Sequence, residues 1–114
     1  MNFYLGETIK EIKQNPNKEN VRIDIRISEV LFKQNLDCEI LFKIDPYNDT
    51  LISADNINKL INDCERIIKS QLVNENIVSE YSELPNDGIE SYKNLKKLCE
   101  QALENKTNII CIGD

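Results

Sequence analysis

Asn108-Ile109-Ile110-Cys111-Ile112 places four apolar residues in a row behind one amide, just before Gly113-Asp114. An unbroken apolar run of strand length reads as a strand buried on both faces, which predicts a central position in a sheet. Immediately before it, Tyr92, Leu95, Leu98, Cys99, Ala102 and Leu103 recur at three- and four-residue spacing. That spacing predicts an amphipathic helix starting after the turn Pro85-Asn86-Asp87-Gly88. Further back, Ile57, Leu60, Ile61, Cys64, Ile67, Ile68 and Leu72 define a second helical stripe. Ser53 or Asp55 is placed to cap it by accepting a first-turn N–H.

The first half of the chain reads as strands. Val21, Ile23, Ile25 and Ile27 alternate with Arg22, Asp24, Arg26 and Ser28, the period of two of a half-buried strand. Cys38, Ile40, Phe42 and Ile44 share one face of a second expected strand. The polar link Gln34-Asn35-Leu36-Asp37 suits an antiparallel pairing of the two. Phe3 to Leu5 is a short expected strand, and Glu7 to Gln14 a short helix with Ile9 and Ile12 inward, stopped at Asn15-Pro16. The expected fold is α/β in the α+β sense. It is one domain over residues 1–114, with a small sheet of three to five mostly antiparallel strands and two main amphipathic helices packed on one face.

Composition narrows the function. The chain has no histidine, which removes the commonest general base and the commonest metal ligand. Three glycines, Gly6, Gly88 and Gly113, are too scattered for a phosphate-cradling loop. Catalysis is therefore not expected, and neither is a cofactor. Cys38, Cys64, Cys99 and Cys111 are widely spaced at apolar positions and read as buried thiols of a reducing compartment. No secretory leader opens the sequence and no apolar run approaches membrane-spanning length, so a cytoplasmic protein is expected.

Twenty acids against fourteen bases give a net charge of -6. Such a surface repels phosphate backbones and anionic membranes, so a basic protein is the natural partner; it also serves solubility. Between Ser70 and Tyr92 lie Glu75, Glu80, Glu83, Asp87 and Glu90, with no Lys or Arg. Like charges held together disfavour the free domain slightly, and a basic partner offsets them. Tyr81 and Tyr92 add rings of the kind that anchor interfaces. The alternative for this stretch is a solvated loop tacked down by Leu84 and Ile89. Asp45-Pro46-Tyr47-Asn48-Asp49-Thr50 gathers oxygen donors that suit either a divalent ion or, as Asp, Asn and Pro commonly do, a turn; the turn is the expected outcome.

From about Cys38 onward the order of motifs resembles a set of small bacterial proteins, some associated with toxin-immunity loci. The residues that carry it are Asp45-Pro46-Tyr47 with Asp49-Thr50, and the terminus Ile112-Gly113-Asp114. Short, acidic immunity proteins of contact-dependent growth inhibition and related polymorphic toxin systems are similar in general style. The resemblance implies a cytoplasmic protein that binds and neutralises the toxin domain of an effector, often a basic nuclease. It transfers no individual site residue. On the charge pattern, Glu75, Glu80, Tyr81, Glu83, Asp87 and Glu90 form the expected partner-binding patch. The rival expectation is an adaptor or self-assembling protein that pairs through a sheet edge, with Val21 to Ser28 as the edge strand.

Overall fold

A computed structural model of the chain describes residues 1–15, 17–23, 38–41, 43–45, 47–73 and 88–113. Its elements in chain order are β1 (Asn2–Gly6), α1 (Ile9–Gln14), β2 (Val21–Arg22), β3 (Thr50–Ile52), α2 (Ala54–Val73), α3 (Gly88–Glu104) and β4 (Asn108–Ile112). The strands form one antiparallel sheet in the order β2-β1-β4-β3. The apolar run of β4 is central, as its composition predicts, with β1 and β3 as neighbours.

Successive strand residues point to opposite faces, and β4 uses both. Ile109 and Cys111 enter the main core with Phe3, Ile52 and the inner faces of α2 and α3, whereas Ile110 packs with Tyr4 and Ile12 in a second cluster. The two main helices thus cover one face, and α1 adds a small layer on the other. On α2 the buried stripe is Ile57, Leu60, Cys64 and Ile67; on α3 it is Tyr92, Leu95, Leu98, Cys99 and Ala102. Each Ile or Leu so buried stabilises the fold by about 1.5–3 kcal/mol.

The helices run antiparallel. Ile52 and Ile109 are register partners, so the start of α2 and the end of α3 share one end of the sheet. Lys96 of α3 also reaches Glu65 of α2 at 3.2 Å, and each lies eight residues from its helix's end at Val73 or Gly88 (73 − 65 and 96 − 88). Val73 and Gly88 therefore lie together at the far end of the helix pair.

Local chemistry sets the short elements. Thr8 caps α1 by accepting from Glu11 N at 3.2 Å, while Glu11 accepts from Glu7 N at 3.1 Å. After α3, Thr107 N donates to the Ala102 carbonyl and Lys106 N to the Leu103 carbonyl, with Lys106 at φ 54°. This is the helix-ending loop that normally uses glycine at the left-handed position.

Two expectations are corrected. Residues 38–41 and 43–45 are turns and bends, not a strand. The reason is a single carboxylate: Asp63 accepts from Glu39 N at 2.9 Å, Ile40 N at 2.7 Å and Leu41 N at 3.1 Å. Three consecutive N–H groups converge on one point only in a turn, because in a strand they alternate in direction. Accordingly Val21 pairs with Phe3 of β1 and not with residues 38–44. The remainder of the expected Val21 to Ser28 strand, together with Phe42, lies outside the described residues. Thr50, read in the sequence as the last residue of a turn, opens the edge strand β3, Thr50–Ile52.

Candidate functional site

Val73 and Gly88, the helix ends that flank most of the acidic stretch, lie at the far end of the helix pair. Of the expected patch, Glu90 is described. It stands exposed in the first turn of α3, a favourable place for a carboxylate near a helix N-terminus, and its Oε1 lies 3.5 Å from Lys93 Nζ. Glu75, Glu80, Tyr81, Glu83 and Asp87 lie outside the described residues. Tyr92, read also as an interface anchor, is corrected: it is 1% exposed and packs in the core between α2, α3 and the sheet. Its position in the stripe Tyr92, Leu95, Leu98, Cys99 already signalled that burial.

The turn after Asp45 uses its oxygens on its own chain. Asp45 Oδ1 accepts from Tyr47 N at 2.9 Å and Oδ2 from Asn48 Nδ2 at 2.7 Å, while the Asp45 carbonyl accepts from Asn48 N at 3.2 Å. Asp49 is tied to two other elements: Lys13 Nζ of α1 at 2.6 Å and Gly113 N, after β4, at 3.2 Å. The hydrogen bond from Lys13 outweighs partial burial and holds the Asp49 carboxyl below its ordinary value. A Cβ on Gly113 would lie 2.7 Å from the backbone of Tyr47 and Asn48, so the turn closes against the end of β4 where only glycine fits. This packing presents Tyr47, 72% exposed, just before β3, on which Leu51 is 42% exposed. Among the described residues no group of three or more Cys, Asp or Glu is placed to hold a metal ion.

Asp63 is fully buried, and its carboxylate serves the turn at residues 39–41. Its role was missed in the sequence, although a signal was present: it sits three residues after Leu60 and four before Ile67, on the buried face of α2. A carboxylate there requires donors from another segment. Cys38, Cys64, Cys99 and Cys111 are buried thiols. Burial is the main force pushing the Cys64 thiol up, aided by Cys99, Asp63 and Cys38, and burial pushes Cys99 up to about 12. Both stay protonated near neutrality and are poor nucleophiles.

No described helix is long and apolar enough to cross a membrane. No family model matches the chain, and neither a curated protein nor a solved structure does.

Proposed function

We propose that this chain is an immunity-type inhibitor: a non-catalytic cytoplasmic protein that binds a basic toxin domain and neutralises it, using the acidic stretch between α2 and α3. The observation that carries the reading is the run of five acids, Glu75, Glu80, Glu83, Asp87 and Glu90, without a Lys or Arg between Ser70 and Tyr92. The helix pair supports it by bringing Val73 and Gly88, on either side of residues 74–87, to one end of the fold. Acidic residues at such a surface speed association with a basic partner, and the gain fades with salt. Tyr81 supplies the desolvated anchor.

The experiment is a pull-down from an extract containing the products of adjacent genes, at low and moderate salt. One basic partner, recovered in a salt-sensitive way and inactivated by the chain, is the expected result. Charge reversal of Glu80 and Glu83 to Lys should abolish recovery; unchanged recovery refutes the assignment of the patch.

A second reading, pairing through a sheet edge, is favoured by the exposed Leu51 on edge strand β3 and by Tyr47 just before it. Self-association that depends on concentration and survives high salt would favour it over the first.

A further inference from the structure

We propose that the groove between β2 and α3 is a peptide site, in which an extended segment adds alongside β2 and places a carboxylate on Lys97. The inference is independent of the acidic stretch and of any toxin.

The main chain supplies the first argument. Ile23 N donates to the Met1 carbonyl at 2.9 Å, and the Ile23 carbonyl accepts from the Met1 amino group at 3.3 Å, so Met1 and Ile23 are a mutually bonded pair. The next pair, Asn2 and Arg22, is then the non-bonded kind, and the N–H and C=O of Arg22 point away from β1. Among the described residues no strand lies on that side of β2, which leaves the edge arrangement that accepts an added strand.

The second argument is the cavity beside that edge, of about 290 Å³. Its floor is apolar, Val21 and Leu98, and its walls carry Glu19 on the strand side and Asn94, Lys97 and Gln101 on the helix side. Asn94, Lys97, Leu98 and Gln101 stand at three-, four- and seven-residue spacing, one stripe of α3 running about 10 Å at 1.5 Å per residue. That is the length of about three residues of extended peptide. A stripe of amides about an apolar floor suits a segment with an apolar residue inward and polar main chain to either side.

Charge selects the occupant. Lys96 is paired with Glu65 and Glu100, and Lys93 with Glu90, but Lys97 beside them is in no ion pair among the described residues. Its ammonium is offered to the groove of an otherwise acidic protein. Glu19 on the opposite wall disfavours a uniformly acidic ligand, so the fit is for a single carboxylate turned toward α3.

The test uses the full chain and the peptide Val-Thr-Val-Asp, acetylated and amidated so that the Asp side chain is its one carboxylate, followed by titration of the amide NMR shifts. Saturable shifts at Asn20, Arg22, Lys97 and Gln101 are expected. Lys97→Ala, at an exposed position, should weaken binding about tenfold, and the same amidated peptide with Asn in place of Asp should lose a similar factor. Arg22→Pro removes only the outward N–H and should abolish binding while leaving the core shifts in place. The proposal is overturned if shifts fall elsewhere, or if Lys97→Ala and Arg22→Pro both bind as the parent does. Shifts at Arg22 that grow with protein concentration and need no peptide would show a second copy at this edge and would equally overturn it.

Discussion

Replacing Asp63 tests whether one buried carboxylate builds the turn that the apolar pattern of residues 38–44 did not predict. Asp63→Ala leaves three backbone donors, on Glu39, Ile40 and Leu41, without their acceptor. Hydrogen bonds to a charged group contribute about 1.5 kcal/mol or more each, and water can reach the exposed Glu39 most easily, so a loss of roughly 4 kcal/mol is expected. That is a large share of the ~5–15 kcal/mol that stabilises a domain. Asp63→Asn keeps one oxygen, able to serve Ile40 and Leu41, and turns its NH₂ toward the Glu39 N–H, so about half that loss is expected. Guanidinium unfolding at neutral pH gives the two values, with Asp55→Ala, in the exposed first turn of α2, as a control within about 1 kcal/mol. Hydrogen exchange supplies a second readout: the amides of Glu39, Ile40 and Leu41 should lose protection in the Ala variant before those of β4. A loss under about 1 kcal/mol with those amides still protected would refute the reasoning.

Three other outcomes are expected. Lys106→Gly, at φ 54°, should stabilise the chain by about 0.5–1 kcal/mol in thermal or denaturant unfolding, because glycine occupies the left-handed region without a Cβ penalty. The folded-state carboxyl of Asp49 titrates below its ordinary 3.8, so its contribution is full above that pH and disappears as pH falls through the lowered folded value. Asp49→Asn should therefore cost up to about 1 kcal/mol near neutrality, where Lys13 is largely exposed, and nothing in strong acid, as measured by unfolding against pH. A thiol reagent should find no fast-reacting group in the native chain and all four cysteines after denaturation, since Cys38, Cys64, Cys99 and Cys111 are all buried.

The sequence by itself determined the elements whose signal is periodic. The stripes of α2 and α3, the continuous run of β4 and the stop of α1 at Asn15 are statements about which side of a segment avoids water, and each held. So did the α+β class, because such faces pack in few ways. It also placed the turn at Asp45, where Asx chemistry acts within three residues. What only the tertiary structure decided was long-range. Residues 38–44 have the alternation of a strand, yet Asp63, some twenty residues away, takes the N–H groups of Glu39, Ile40 and Leu41 and bends that segment into a turn. β3 is three residues long, too short for a period, and exists because β4 offers it an edge. Tyr92 looked equally fit for an interface or a core until α2 and the sheet closed over it, and Lys97 became distinct from Lys93 and Lys96 only when the acids around them were placed. The groove beside β2 is likewise made by two segments some seventy residues apart, which no local pattern can bring together.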